Sequence, residues 1–320
     1  MPLAEVYAHC EWKGLSLPEF IQRFGTEEQC AAALELARWP EGFHCPQCDG
    51  TQHSVLKSGS RKTFQCSHCR HQTSLIVGTL FQGTRLPLTT WFLAIYLISQ
   101  AKTGLSALAL KRQLGVSYPT AWRIQHKLMQ SMLEREAHYT LQGSAQADDA
   151  YLGGENPGGK AGRGSENKVP FVAAVSVDNE GHPIYAKFIA ITGFTSEAIQ
   201  DWARDSLDPG CRVLTDGLGC FNGISDAGRQ HDVIVAGGRK PRDLPQFGWL
   251  NTVLGNLKTG LSGAYHAFKF RKYAQRYLST VTYRFNRRFN LTTLPMSLLR
   301  AAVNIGPRPE RWPRTAEASC

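Results

Sequence analysis

Apolar residues in the middle of the chain fall into short runs that are separated by turn-forming residues. Two such runs, VPFVAAVSV and PIYAKFIAI, flank the turn DNEGH and predict a β-hairpin. A helix is predicted over TSEAIQDWARDSL, a strand over CRVLTD and another over HDVIV, before a helix through LNTVLGNLKTGL. With a strand carrying Asp148 in front, the order is three strands, helix, strand, helix, strand, helix. This order predicts an α/β domain with a mixed five-stranded sheet.

The segment KTGLSALALKRQLGVSYPTAWRIQHKLMQSM predicts two helices joined by a tight turn. Leu105, Leu108, Ala109 and Leu114 are expected to form the apolar face of the first helix. Gly115 stands where the turn needs it, and Ser117 can cap the second helix, with Pro119 in its first turn. Arg123, His126 and Lys127 project from that second helix, which favours a helix-turn-helix that reads the major groove of DNA. The alternative is an ordinary helical hairpin that packs on the following domain.

Length and composition favour a folded protein of two or more domains. The chain has 320 residues, of which 42% are hydrophobic. No apolar run reaches the roughly 18 to 20 residues that span a bilayer, so we expect no membrane partner. The N-terminus MPLAEVYAHCEWKG lacks a basic head and an apolar core, so we expect a cytoplasmic protein, which as a DNA binder would be nucleoid-associated.

The formal net charge of +10 is distributed unevenly along the chain. Residues 50 to 133 contain ten Lys or Arg and no Asp or Glu, and residues 251 to 320 contain twelve Lys or Arg against Glu310 and Glu317. Two basic blocks therefore flank a middle that holds most of the acids. This pattern indicates a protein that binds a polyanion such as DNA and acts on it in between. A solvated surface with a basic tail is the alternative.

Four of the nine cysteines follow a metal-binding pattern. Cys45 and Cys48 form C-P-Q-C, and Cys66 and Cys69 form C-S-H-C after seventeen intervening residues. This is the spacing of a zinc ribbon, in which two knuckles each supply two thiolates to Zn²⁺. A closed set of four thiolates has no position for a substrate, so we expect a structural zinc that folds about 25 residues. The neighbouring histidines are interpreted as bystanders.

Two aspartates of the middle region are candidate ligands of divalent metal. The predicted order places Asp148 on the first strand and Asp216 at the end of the fourth, and these strands can be neighbours. Converging carboxylates repel each other unless cations lie between them. Hard oxygen ligands at an open site favour Mg²⁺ or Mn²⁺, and two such ions can support in-line phosphoryl displacement.

Several of these segments carry a family resemblance. The stretches DDAYLGG, VLTDG, NTVLGNLKTGLSGAYH and YLSTVTYRFNRR resemble bacterial insertion-sequence transposases of the ISXO2-like family. Members of this family join an N-terminal zinc ribbon to a ribonuclease-H-like catalytic domain. The resemblance spans about residues 15 to 288 and implies a DNA transposase of the DDE type. Such an enzyme nicks DNA at the ends of its element with divalent metal, and the freed 3′-hydroxyl then attacks target DNA.

The resemblance also assigns residues. The first acid is Asp148, three residues before the tyrosine. Successive strand residues face opposite ways, so only one of the adjacent pair is expected to point at the metals, and Asp149, often a second acid in the family, is assigned a supporting role. The second acid is Asp216. At the third position, where most DDE enzymes have glutamate, the chain has Asn251, seven residues before Lys258. An amide oxygen can ligate Mg²⁺, and Lys258 on the same helical face can contact phosphate. Asn256 is the rival third ligand.

Further DNA contacts are expected on both sides of this site. In the tail, aromatic residues alternate with Arg284, Arg287 and Arg288 at helical spacing, and these arginines are predicted to face phosphate. The glycine-rich loop of residues 153 to 164 carries Lys160 and Arg163, which would add positive charge where DNA passes. A flexible hairpin loop is the alternative for that segment.

The predicted organisation has five parts. They are a helical lead-in (1–40), the zinc ribbon (41–75), a helix-turn-helix region (85–135), the ribonuclease-H-like domain (143–290) and a basic C-terminal tail (291–320). The predicted function is cleavage and strand transfer at the terminal inverted repeats of an insertion sequence, by a homo-oligomer on DNA. Two rivals remain open: a non-catalytic DNA-binding regulator, derived from a decayed or domesticated transposase, and a nuclease that hydrolyses DNA without strand transfer.

Overall fold

The computed structural model describes residues 14–58, 61–153, 168–235, 237–239, 243–265 and 269–315. These residues divide into two compact units. The described part of unit 1 lies within residues 14–101, 105–131 and 287–314. The described part of unit 2 lies within 102–104 and 132–286, together with Thr315.

The helices and strands are numbered in chain order. The first half of the chain contains α1 (Leu17–Phe24), α2 (Glu27–Arg38), β1 (His53–Ser58), β2 (Arg61–Cys66), β3 (Gln72–Ser74), α3 (Leu88–Gln100), α4 (Ala107–Leu114), α5 (Tyr118–Ala137) and β4 (Ser144–Leu152). The second half contains β5 (Val169–Val177), β6 (Pro183–Ala190), α6 (Ser196–Ser206), β7 (Arg212–Thr215), α7 (Gly223–Asp226), β8 (Gln230–Val233), α8 (Gly248–Ala264), α9 (Phe270–Phe285), α10 (Leu294–Asn304) and α11 (Arg311–Thr315).

Unit 1 contains a capping interaction between two of its helices. The N-cap of α3 is Pro87, which has no side-chain hydrogen bond to offer. The carboxylate of Glu27, from the first turn of α2, instead accepts from the backbone N–H groups of Leu88 (3.0 Å) and Thr89 (2.8 Å). Burial acts to raise the pKa of Glu27, but these hydrogen bonds outweigh it and the pKa is lowered. One acid thus caps a second helix and joins α2 to α3.

The C-terminal residues of unit 1 form a packed helix, where sequence analysis predicts only a basic tail. Helix α10 packs against α2 and α3 and buries Leu298, Leu299 and Ala302. The Gln100 side chain at the end of α3 donates to the carbonyl of Leu291 at 2.9 Å. Residues 291 to 304 therefore contribute to the core of this unit.

Helices α4 and α5 show the predicted local geometry of a two-helix turn. Gly115 ends α4 in the left-handed conformation (φ 66°), and its N–H donates to the carbonyl of Lys111. The hydroxyl of Ser117 accepts from the N–H of Thr120 at 3.4 Å, as expected for a cap. The predicted apolar face is wrong at one position: Leu108 is 46% exposed, whereas Leu110 is buried, because the buried side runs through Ala107 and Leu110.

Unit 2 is built on the predicted mixed sheet of five strands, in the order β6-β5-β4-β7-β8. The first three strands pair antiparallel as consecutive neighbours, whereas β4–β7 and β7–β8 are parallel pairs. Each face of the sheet covers a separate core. Helix α8 covers one face with Leu250 and Val253 against Ala150 and Phe171 of the sheet. On the other face, Trp202 of α6 belongs to the core formed with Val172 and Val213.

The outer edge of the sheet is closed by side chains of α9. The side-chain oxygen of Asn286, the residue after α9, accepts from the N–H of Ala186, and its amide nitrogen donates to the carbonyl of Ala186. Gln275 likewise accepts from the N–H of Ala190 (2.8 Å) and donates to the carbonyl of Phe188 (3.0 Å). These bonds satisfy backbone groups of β6 that would otherwise be available to another strand. Across the described ranges, no helix has the length and apolar character to cross a membrane.

Gln275→Ala should lower the free energy of unfolding by about 1–3 kcal/mol, because it leaves two backbone groups of β6 without these partners. Gln113→Ala, at an exposed position of α4, is the control and should change stability far less. Urea unfolding of both variants measures the difference. Equal stability of the two variants would contradict a structural role for the Gln275 amide.

Candidate active site and metal centres

Strands β4 and β7 place two aspartates side by side, Asp148 in the middle of β4 and Asp216 directly after β7. These strands pair in parallel, with Ser144 opposite Arg212 and Gln146 opposite Leu214. Continued by two residues, the same register places Asp148 level with Asp216, the residue directly after β7. Neighbouring strands lie about 4.8 Å apart, so level side chains on one face come close together. The predicted adjacency of the two strands is therefore present.

Three half-buried carboxylates meet at this point. Asp148, Asp149 and Asp216 each offer a carboxylate oxygen, and these oxygens lie within 4.8 Å of one another. Strand alternation predicts that only one of the two adjacent acids reaches the site, and this prediction is wrong. The Asp148 carboxylate bends along the strand and accepts from the N–H of Asp149 at 2.8 Å. The acid doublet in the sequence is the signal that could have indicated both.

Local backbone geometry fixes the position of Asp216. Gly217 has a φ of 90°, a conformation that favours glycine. A Cβ at Gly217 would also lie 2.9 Å from a methyl carbon of Val233. The backbone conformation and the lack of space for a side chain therefore both require glycine. The Asp216 carboxylate accepts from the N–H of Leu218 at 3.2 Å, which closes the turn after the strand.

The charge of this cluster indicates a cation. Each fully ionised pair at such a separation repels by about 3–4 kcal/mol at an effective dielectric constant of about 20. The donors are all hard carboxylate oxygens, and their half-buried position leaves room for water. This donor set fits Mg²⁺ or Mn²⁺, which prefer oxygen ligands and retain part of their hydration shell.

Helix α8 carries the two remaining predicted residues of this site. Asn251 and Lys258 are both exposed, and their seven-residue spacing puts them on one side of the helix. The buried side of α8 packs on the sheet face that includes Ala150, and by strand alternation Asp148 belongs to this same face. Asn256 is also exposed, but it lies about 140° around the helix from Asn251. The participation of Asn251 and Lys258 stays a prediction.

The four predicted zinc ligands converge in unit 1. Cys45, Cys48, Cys66 and Cys69 have their sulfur atoms within 4.8 Å of one another. The Cys45–Cys69 and Cys48–Cys66 sulfur distances are 3.5 and 3.6 Å. Zinc–sulfur bonds of about 2.3 Å in a tetrahedron require sulfur separations of about 3.8 Å, so the four thiolates fit Zn²⁺.

The two knuckles have the same backbone pattern. The residue after each pair, Asp49 or Arg70, has a positive φ, of 58° and 62° respectively. The N–H of Asp49 donates to the carbonyl of Cys45, and the N–H of Arg70 donates to the carbonyl of Cys66. Each loop therefore turns back on itself and presents both sulfurs to one point. His44 lies 3.4 Å from the carboxylate of Asp49, outside the cysteine set, as expected.

A second group of possible ligands lies in the β5–β6 turn. Asp178, Glu180 and His182 have ligand atoms within 4.8 Å of one another. The Asp178 carboxylate, however, accepts from the N–H groups of Glu180 (3.0 Å) and His182 (2.7 Å). The hairpin turn itself accounts for this arrangement.

The predicted DNA-contacting residues of α5 have different surroundings. Arg123 is half-buried and pairs with Glu310 at 2.9 Å. The Lys127 ammonium donates to the carbonyl of Leu80 at 3.2 Å and lies over the ring of Trp91. Burial lowers the pKa of Lys127, as does the nearby charge of Arg123. His126, also predicted to project, is buried beside Trp122. Both cations therefore have partners within unit 1, and their contacts with DNA stay a prediction.

The predicted arginines of the tail also differ from one another. Arg284 lies in α9, and burial lowers the pKa of its guanidinium against the opposing effect of its hydrogen bond with Tyr265. Arg287 and Arg288 follow the helix and are half-buried, and the Arg288 guanidinium lies 4.2 Å from the centre of the Phe289 ring. This placement favours a structural role for Arg284. Lys160 and Arg163 of the glycine-rich loop lie outside the described residues.

Comparison with known proteins identifies the domain that contains the three aspartates and the domain that contains the four cysteines. Residues 140–286 match the ISXO2-like transposase domain, and residues 25–72 match the transposase zinc-ribbon domain. The two matches together cover more than half of the chain. The chain belongs to the ISXO2-like transposase family. The three aspartates lie within the transposase domain, and the four cysteines lie within the zinc-ribbon domain.

A relative of this transposase supports the same assignment. It is an uncharacterized protein in transposable element ISH50 of Halobacterium salinarum, 28% identical over 224 residues. The matched segment covers 64% of this chain and 72% of the relative. The similarity therefore extends beyond either domain alone.

Cys48→Ala or Cys66→Ala should remove bound zinc and unfold the ribbon, because a structural zinc site contributes directly to folding. Metal analysis of the purified protein should give one zinc per chain for the wild type and a large loss in either variant. Cys220→Ala, at a half-buried cysteine outside the ribbon, is the matched control and should keep its zinc. Full zinc occupancy in Cys48→Ala would contradict the four-cysteine site.

Proposed function

We propose that this protein is a DNA transposase that cleaves DNA at the ends of an insertion sequence and joins the freed 3′-hydroxyl to target DNA. The observation that carries the proposal is the convergence of Asp148 and Asp149 of β4 with Asp216, which follows the neighbouring parallel strand β7. Such a cluster suits the binding of divalent ions. Its location within the transposase domain supports a role for the cluster in DNA chemistry.

We further propose that unit 2 has a ribonuclease-H-like fold. Numbered within unit 2, the strand order of the sheet is 3-2-1-4-5, with an antiparallel meander followed by two parallel strands. Helices cover both faces, and the acids stand on the first and fourth strands. This topology supports the fold that the family resemblance implies.

The chain's residues have distinct roles in the proposed reaction. Asp148 and Asp216 hold Mg²⁺ or Mn²⁺, and Asp149 adds a third carboxylate to the same point. When bound, two such ions activate the attacking oxygen and stabilise the leaving one. Asn251 supplies a neutral amide oxygen from α8, which completes the ligand set without adding charge or accepting a proton. Lys258 lies on the same side of α8 and positions a DNA phosphate.

Unit 1 supplies the proposed binding of DNA. The zinc ribbon and the α4–α5 pair bind the terminal inverted repeats, while the catalytic site acts on the adjoining phosphodiester. Recognition of two element ends implies that several copies of the chain act together on DNA. A non-catalytic regulator would keep this binding and lack cleavage, and a nuclease would cleave without joining.

Asp148→Asn and Asp216→Asn should abolish Mg²⁺-dependent cleavage and joining while leaving DNA binding intact. The amide keeps the size of the side chain but removes its charge. A loss of several kcal/mol of transition-state stabilisation predicts a decrease of about 10³-fold or more. Asp201→Asn, on the exposed side of α6, is the control. Cleavage and strand transfer are measured on duplexes that carry the native element end.

Three outcomes separate the proposed function from its rivals. Cleavage and joining that require both aspartates support a transposase. Binding without any cleavage by the wild type would identify a regulator, and cleavage without joining would identify a nuclease. Wild-type activity in Asp216→Asn would contradict the proposed metal site.

Asn251→Ala should lower cleavage at least about tenfold, which corresponds to about 1.4 kcal/mol. Asn256→Ala is the matched control on the same helix and should retain activity. Asn251→Glu should hold or raise the rate, because glutamate offers a charged oxygen at the same place. If Asn256→Ala loses cleavage and Asn251→Ala does not, Asn256 is the third ligand and our assignment is wrong.

A further inference from the structure

The C-terminal segment of residues 307 to 314 is joined to helix α5 through a shared carboxylate. The carboxylate of Glu310 accepts from Arg123 of α5, with 2.9 Å between Nη1 and Oε2. Its other oxygen lies 3.4 Å from Nη2 of Arg314. One acid therefore bridges an arginine of α5 and an arginine of the segment. Such a bridge holds both guanidinium groups on one surface.

The segment is conformationally restricted before any ligand binds. It contains Pro307, Pro309 and Pro313, each of which fixes a backbone dihedral. Pro313 is buried, and the N–H of Trp312 donates to the carbonyl of Pro309 at 3.0 Å. A surface that is ordered in advance loses little conformational entropy on binding.

The segment and α5 enclose a positively charged cleft. Its volume is about 330 Å³, and the residues lining it include Gln82, Gly83, Arg123, Lys127, Arg308 and Glu310. Three of these six carry positive charge and only Glu310 carries negative charge. Burial lowers the pKa of Lys127, and the nearby positive charge of Arg123 lowers it further.

Arginines of the segment extend this charge along the surface. Arg308, Arg311 and Arg314 follow one another at intervals of three residues. Arg311 and Arg314 are exposed, and Arg308 is half-buried with its guanidinium 4.9 Å from the ring centre of Trp312. Planar guanidinium groups suit bidentate contacts with phosphate oxygens.

We propose that the segment of residues 307 to 314 and the first turns of α5 form one surface that binds the phosphate backbone of DNA. The proposal rests on the proposed function, because it takes DNA as the polyanion that unit 1 binds. Glu310 acts as a positioning residue that fixes Arg123 and Arg314. A surface of this kind contributes affinity that does not depend on base sequence.

The test compares DNA binding by Arg308→Gln and Arg311→Gln with binding by the wild type, using the full zinc-loaded chain. Fluorescence anisotropy measures affinity for an element-end duplex and for an unrelated duplex over a series of salt concentrations. Arg23→Gln, at an exposed arginine of α1 in the same unit, is the matched control. Thermal unfolding confirms that each variant is folded.

Each variant of the segment should weaken binding to both duplexes several-fold. It should also reduce the magnitude of the slope of log K against log salt by about 1, because one phosphate contact is lost. The slope is decisive, since a purely structural role would not change the number of released ions. Arg23→Gln should match the wild type in both affinity and slope.

The proposal is overturned if Arg308→Gln and Arg311→Gln match Arg23→Gln while the wild type binds DNA with a clear salt dependence. In that case the proposed transposase function would stand, with its DNA contacts elsewhere. If the wild type itself binds neither duplex, the proposed function fails together with this surface. Binding of an acidic protein in place of DNA at this segment would also contradict it.

Discussion

The parallel pairing of β4 with β7 is the constraint on which the candidate active site depends. Its register sets Asp148 level with Asp216, although the two residues are far apart in sequence. Asp149 adds another carboxylate from the same strand as Asp148. Gly217 allows the sharp turn that follows Asp216. Because the carboxylates are attached to a paired sheet, their spacing is fixed before a cation binds. Pre-organised ligands of this kind suit catalysis by bound metal.

Local sequence signals predict much of this architecture. Alternating and apolar runs correctly predict the hairpin of β5 and β6, the helix α6 and the strand that ends before Asp216. Cysteine spacing predicts the ribbon because knuckle geometry is local: the positive φ values of Asp49 and Arg70 occur within each short motif. The candidate metal site is predictable to the extent that strand order is predictable, since in this sheet the first and fourth strands are neighbours.

Features that depend on distant contacts are not predictable in the same way. Lys127 looks like a surface cation in the sequence, but its ammonium is bound to the Leu80 carbonyl. Residues 291 to 304 look like a basic tail, although the apolar positions of α10 pack against α2 and α3. Asp149 should face away by strand alternation, yet its carboxylate reaches Asp148 and Asp216. In the first two cases the partner lies on another element, and in the third the side chain does not follow the direction that strand alternation predicts.

The most direct test of the central claim is the location of bound Mn²⁺ by anomalous diffraction from crystals of the zinc-loaded protein. The account predicts manganese signal between the carboxylates of Asp148 and Asp216, with both residues as ligands. Manganese bound by neither residue, or by one of them alone with the other turned away, would contradict a metal site shared by Asp148 and Asp216.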